Sequence, residues 1–308
     1  MVDLSVTGPI GSPLSPVRVQ CAISRSSANN EDIFWNPGFI PAINTRLKSV
    51  VTVHDLTHLR FYSAKHRLYY DWVLKHLYRR CERIVCVSEY TKAEFCAWSR
   101  FPHSRVNVVY NGISERFLTN KVEADLGFPY VLYPGNYRPY KNLDRLFQAY
   151  SGSRLPGEGV KLVLTGSGSE SLLATAKRLR ISDHVVFAGF VPEERLAELY
   201  RGSLAVAFVS LYEGFGLPLL EAMASDVPAV TSNVSAMPEI AGDAAIIVDP
   251  YAADEIIHGL HEAVFNSERR HQISERAKER LRKFSWDSSA VKMANIFDDL
   301  SCLDVRAI

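Results

Sequence analysis

Two carboxylates eight positions apart, Glu213 and Glu221, lie in the stretch LYEGFGLPLLEAMA at residues 211–224, with Gly214, Gly216 and Pro218 between them. A carboxylate offers two acceptor oxygens and so suits a pair of neighbouring hydroxyls. Glycines let backbone N–H groups come close to a ligand, and a helix start carries partial positive charge. The stretch can therefore hold an anion such as a phosphate beside two acids. The plainer reading is that acids near a helix start stabilise the helix without any ligand.

Positioning these groups requires a strand, a turn and a helix. LAVAFVS at 204–210 is a continuous apolar run, as expected of a buried parallel strand. Pro218 fits the first turn of the helix that follows, where its missing N–H costs nothing. The same alternation runs through the chain. Residues 1–31 are weakly patterned, broken by Gly8, Pro9, Gly11, Pro13 and Pro16, with RVQCAI at 18–23 reading as a short strand. KSVVTVHDL at 48–56 is a strand ending at His54, followed by a helix over 64–80 whose apolar members include Leu68, Trp72, Leu74 and Leu77. RIVCVSE and VNVVYNG are further strands, and Thr91 with Glu94 fits a capping box for the helix between them. Residues 113–128 are more polar and read as a linker. Beyond it come strands at 130–135, 160–166, 184–191, 204–210, 228–231 and 244–250, with helices between and after them.

Such βαβ alternation predicts parallel sheets covered by helices. The expected architecture is α/β, two Rossmann-like domains facing a cleft. Residues 1–115 form the first domain, 116–285 the second, and 286–308 a helix packing back on the first. Ligands of open α/β sheets bind beyond the carboxyl ends of the strands. His54, residues 135–141, 166–168, Gly189 and 213–216 all fall at such ends.

The composition restricts the function classes. The 308 residues are 47% hydrophobic and 22% charged, with net charge +1, which argues for a globular protein and against a nucleic-acid partner. No apolar run approaches the ~20 residues of a membrane span, and the N-terminus lacks a signal-peptide pattern, so a cytoplasmic location is expected. Five cysteines without a CxxC suggest neither a disulfide framework nor a zinc site. Residues 60–105 hold ten Lys/Arg against four Asp/Glu, interleaved with aromatics. That face suits peripheral contact with an anionic membrane or a lipid-linked acceptor, or equally a solvated helix packing its aromatics on the sheet.

Nine segments in register, VVTVHDL, IVCVSEYTK, VNVVYNGI, YVLYPGNYRPYKNL, LVLTGSG, VVFAGFVP, SLYEGFGLPLLEAMA, TSNVSAMPEIAGDAAIIVDP and FSW, resemble the retaining glycosyltransferases of family 4, with the GT-B fold. The resemblance runs from about residue 49 to 290, and it implies that 1–115 is the N-terminal acceptor-side domain and 116–285 the nucleotide-sugar-binding domain. It implies a metal-independent enzyme with no cofactor, moving a hexose from a nucleotide-diphosphate sugar (GDP-mannose by preference, UDP-sugars as the alternative). The implied acceptor is a glycan or lipid-linked molecule in polysaccharide or lipopolysaccharide assembly. It also implies residue roles. Lys141 binds the diphosphate, with Arg138 as second cation, because the position before the lysine, often Arg in the family, is Tyr140 here. N–H groups at Phe215 and Gly216 complete the anion site. Glu213 takes donor sugar hydroxyls and Glu221 the ribose hydroxyls. His54 lies near the anomeric carbon, and backbone at Phe190 and Val191 meets the base.

The departure is at the start. Only 53 residues precede His54, and the family's first strand and glycine turn have no counterpart. A shortened N-terminal domain is expected, and a non-catalytic nucleotide-sugar-binding protein is the alternative function. A sugar-nucleotide epimerase would share the architecture, but the E-x7-E spacing argues against it. No GxGxxG follows the first strand, which argues against a dinucleotide oxidoreductase.

Overall fold

The computed structural model describes residues 4, 6, 12–29, 31–43 and 46–302. The breaks at Gly8, Pro9 and Gly11, and residues 303–308 of the C-terminal segment, lie outside them. The chain divides into two compact units, Met1–Tyr110 with Asp287–Ile308, and Asn111–Trp286.

The first unit opens with helix α1 (Ser15–Arg25), where a strand at 18–23 is expected from the sequence. Val19 and Ile23, one helical turn apart, are buried along with Ser15 and Pro16, the proline lying in the first turn of the helix. The apolar positions 19, 21 and 23 fit a strand as well as a helix; the proline starts the helix instead. Strands β1 (Ile33–Asn36), β2 (Lys48–Val53), β3 (Arg83–Cys86) and β4 (Val106–Val108) form one parallel sheet in that order. Side chains alternate across a strand. Val51, Val53, Ile84 and Cys86 pack with α1 and the helices of one face, while Val50, Val85 and Val109 pack with Met293, Ile296 and Leu300 of the chain's last helix.

After β2 come a helical turn, α2 (Thr57–Arg60), and a longer helical stretch: α3 (Ala64–Tyr69), a π turn (Tyr70–Leu74) and α4 (Lys75–Tyr78). The π turn changes the phase of the helix. Tyr70, Leu74, Leu77 and Tyr78 face inward, and Leu68 and Trp72, expected on the apolar side, are exposed. Helix α5 (Glu89–Ser99) begins earlier than a Thr91–Glu94 capping box requires. Its cap is Ser88, whose hydroxyl accepts from the Thr91 N–H at 3.0 Å.

The second unit contains the stretch read as a linker. It holds helix α6 (Glu115–Thr119), and Phe117 is buried edge-on against Tyr200. Strands β5 (Tyr130–Tyr133), β6 (Lys161–Leu164), β7 (Val185–Phe187), β8 (Ala205–Phe208), β9 (Ala229–Ser232) and β10 (Ile246–Val248) form a parallel sheet in the order β10-β9-β8-β5-β6-β7. Helices α7 (Leu143–Gly152), α8 (Glu170–Arg178), α9 (Glu193–Arg201), α10 (Leu217–Ala224), α11 (Met237–Ala241), α12 (Ala253–Phe265) and α13 (Ser267–Leu281) connect and cover the strands. One sheet face buries Val131, Leu162, Ala207 and Val230 against Phe147, Leu172 and Leu260. Burial on both faces explains why β5 and β8 read as unbroken apolar runs. Helix α14 (Trp286–Cys302) then joins the first unit, where the Lys48 ammonium donates to the Leu300 carbonyl at 2.6 Å.

Candidate active site

The strand order of the second unit reverses direction between β5 and β8, the point at which an open sheet leaves a crevice at its carboxyl edge. The chain leaves β5 into the loop that carries Lys141 and leaves β8 into the loop that carries Glu213. The two side chains meet there: Lys141 Nζ lies 2.6 Å from Glu213 Oε1, and the side chains are only 11% and 15% exposed. The ammonium also lies 5.0 Å from the centre of the Phe208 ring, an added cation–π contact. A paired, largely desolvated lysine beside a carboxylate is a built arrangement, far from the weak ion pairs of open surfaces.

The surrounding backbone holds this pair in place. Asn142 adopts a left-handed conformation at φ 62°, which Asn tolerates better than most residues. Its amide donates to the carbonyls of Val209, at 3.0 Å, and Pro250, at 2.8 Å. The loop after β5 is thereby tied to the ends of β8 and β10. The Leu211 N–H donates to the Tyr140 carbonyl at 2.7 Å, closing the same seam. The Glu213 N–H donates to the Ser235 hydroxyl at 3.1 Å.

Next along the chain, Phe215 is buried edge-on against Phe284, ring centres 5.9 Å apart. The Arg280 guanidinium lies over Phe284 and donates to the Ile240 and Glu239 carbonyls, so α13 buttresses the turn. Gly216 caps α10 at φ 118°, and a Cβ there would sit 2.6 Å from the Met237 terminal methyl. The backbone conformation demands glycine at this point. Pro218 lies in the first turn of α10.

Glu221 sits one turn into α10, on the wall of a pocket of about 330 Å³. Gly135 and Gly166 line the same pocket, as do Gly189, Phe190, Val191 and Pro218. The Gly166 and Gly189 backbones exchange two hydrogen bonds, of 2.7 and 3.1 Å, which joins the loops after β6 and β7. A Cβ on Gly166 would meet the Tyr137 hydroxyl at 2.8 Å. Phe190 stands 90% exposed at the lip. Burial raises the Glu221 carboxyl above the usual carboxylate range; a hydrogen bond from the Tyr200 hydroxyl, at 2.5 Å, pulls it partly back.

Of the residues singled out by sequence, the structure thus pairs Lys141 with Glu213, and groups Glu221 with Phe190 and Val191. Phe215 and Gly216 form the turn before α10. Arg138 is exposed at the start of the single 3₁₀ turn that ends in Lys141. His54 belongs to the first unit, exposed beyond β2, with its Nε2 2.7 Å from the Pro37 carbonyl. A carbonyl only accepts, so Nε2 carries the hydrogen. Tyr200, Asn142 and Phe284 are supports that sequence reasoning missed. The position of Asn142 between a loop and a helix start was the available signal for it.

These features define an α/β protein with a parallel sheet in each unit. The description "Glycosyl transferases group 1" matches residues 114–280, over half of the chain, and "Glycosyltransferase Family 4" matches residues 28–117. The chain belongs to the group 1 glycosyl transferases; its fold is GT-B, and it is a glycosyltransferase. It is 29% identical over 81% of its length to the O-antigen chain mannosyltransferase B of Escherichia coli, and covers 70% of that protein. It is 27% identical over 82% of its length to the serotype-specific mannosyltransferase WbdA of Escherichia coli, of which it spans 33%. The crystal structure of WaaG, a glycosyltransferase involved in lipopolysaccharide biosynthesis, superposes with a TM-score of 0.76. That match covers 96% of this chain and 86% of WaaG, and at 16% identity it is a likeness of fold.

Proposed function

We propose that the protein transfers a hexose, mannose from GDP-mannose for preference, onto a glycan or lipid-linked acceptor in polysaccharide or lipopolysaccharide assembly. The transfer proceeds with retention and without a metal. The observation that carries the reading is the Lys141–Glu213 pair, largely buried at the β5/β8 switch point. The likeness to an O-antigen chain mannosyltransferase and a serotype-specific mannosyltransferase supports the choice of sugar and pathway.

In this reading donor binding exchanges partners. The diphosphate takes Lys141, helped by Arg138 and the N–H groups of Phe215 and Gly216, and the sugar hydroxyls take Glu213. Glu221 accepts from the ribose hydroxyls, and backbone at Phe190 and Val191 meets the base. His54 serves the reacting end of the sugar. The bond from the anomeric carbon to the phosphate oxygen breaks, and its electron pair leaves with the nucleotide. The acceptor oxygen bonds to the same face of that carbon, and its proton passes to the leaving phosphate. Charge grows on the phosphate as the bond breaks, so fixed positive groups lower the barrier.

The same proposal includes peripheral membrane contact. Phe61, Leu68 and Trp72 are exposed beside Lys65 and Arg67, a mixture suited to an anionic lipid surface.

A thermal-shift panel of UDP, GDP and their sugars tests the donor. A ligand at a hundredfold excess over its Kd stabilises by about 2.7 kcal/mol. GDP and GDP-mannose are expected to raise Tm most; a panel with no response to any nucleotide contradicts the reading.

A further inference from the structure

We infer that Tyr200 is a positioning residue for donor recognition: its hydroxyl fixes the Glu221 carboxylate in the orientation that meets the ribose. The inference rests on the ribose role proposed for Glu221. Tyr200 lies near the end of α9, fully buried, with Phe117 edge-on to its ring at 5.3 Å. It therefore has no surface with which to touch a ligand. Its hydroxyl donates to Glu221 Oε2 at 2.5 Å, across the contact between α9 and α10.

A buried phenol needs a partner, and here the partner is a residue on the pocket wall. A glutamate side chain has three rotatable bonds and would otherwise sample several rotamers. One hydrogen bond to Oε2 removes that freedom and still leaves Oε1, and the second lone pair of Oε2, to accept from two neighbouring hydroxyls. The bond also favours the ionised form of an otherwise desolvated acid, which is the form that accepts. The other ionisable neighbour acting on Glu221 is Glu193, also on α9, which is itself paired with Arg116 of α6.

The test is a double-mutant cycle read by calorimetry on the whole chain, with Tyr200→Phe, Glu221→Gln and the double variant. Tyr200→Phe keeps the ring that packs on Phe117. The probes are GDP and UDP, and the same diphosphates lacking both ribose hydroxyls. Tyr200→Phe is expected to reduce the preference for the ribose form about tenfold, the usual effect of a hydrogen bond to a charged group. Affinity for the hydroxyl-free form should stay the same. Glu221→Gln should abolish the preference, and adding Tyr200→Phe to it should cost nothing further. Equal weakening of both probes by Tyr200→Phe, or full additivity in the double variant, overturns the inference. A preference that survives Glu221→Gln sinks the ribose role and the inference with it. A preference lost in Glu221→Gln but intact in Tyr200→Phe sinks the inference alone.

Discussion

Glu221 sits in a surrounding that works against its charge. Burial is the largest influence and raises its carboxyl above the ordinary value; Glu193 adds to this, and the Tyr200 hydrogen bond opposes it. The consequence for binding has a definite sign. Protonation removes the acceptor that the ribose needs, so nucleotide affinity is full above the raised value and falls as pH drops through it. The fall begins at a higher pH than an ordinary glutamate would give. Calorimetric titration of GDP and UDP through the acidic range should show this limb in the native protein. The limb should be missing in Glu221→Gln, whose affinity is low throughout. If both proteins share one limb, another group is titrating. The Lys141–Glu213 contact spans 72 positions of sequence and was not legible in it. Motif likeness suggests each residue separately, but nothing local announces that the two side chains pair. Tyr200 is a similar case, since its partner lies 21 residues on, across a helix–helix contact.

At the scale of elements, strands were easier to read than helix faces. Parallel strands buried on both sides appear as uninterrupted apolar runs, and β5 and β8, buried throughout, are such runs. The strand–glycine turn–helix from β8 to α10 was legible for the same reason, with Gly216 and Pro218 marking the junction. The first unit misled in two places. The alternation at 18–23 concealed α1, and Leu68 and Trp72, expected on the apolar side, are exposed while Tyr70, Leu74, Leu77 and Tyr78 are buried. At 3.6 residues per turn these two sets fall on opposite faces, so the apolar count of the stretch misled where its period would not have. The exposure of Leu68 and Trp72 sets up the proposed membrane face. Sedimentation with phosphatidylglycerol-containing vesicles should pull down the native protein at low salt and release it at high salt. Trp72→Ser with Leu68→Ser should bind less. Equal recovery on neutral phosphatidylcholine vesicles would remove the anionic-surface proposal.

At the scale of the whole molecule, two parallel-sheet units share one chain, and the last helix returns to the first of them. Among the described residues, no helix is long and apolar enough to cross a membrane. The chain spans 70% of the length of the O-antigen chain mannosyltransferase B and 33% of that of the serotype-specific mannosyltransferase WbdA. The central claim is that Lys141 and Glu213 hold the donor at the β5/β8 edge while the sugar is transferred. The most direct measurement is release of GDP from GDP-mannose, with a chelator present, by the native protein and by Lys141→Ala and Glu213→Ala. The account predicts steady release by the native protein and a loss of about 10²–10³-fold in each variant, with the fold intact by circular dichroism. Release at the native rate in either variant would contradict it.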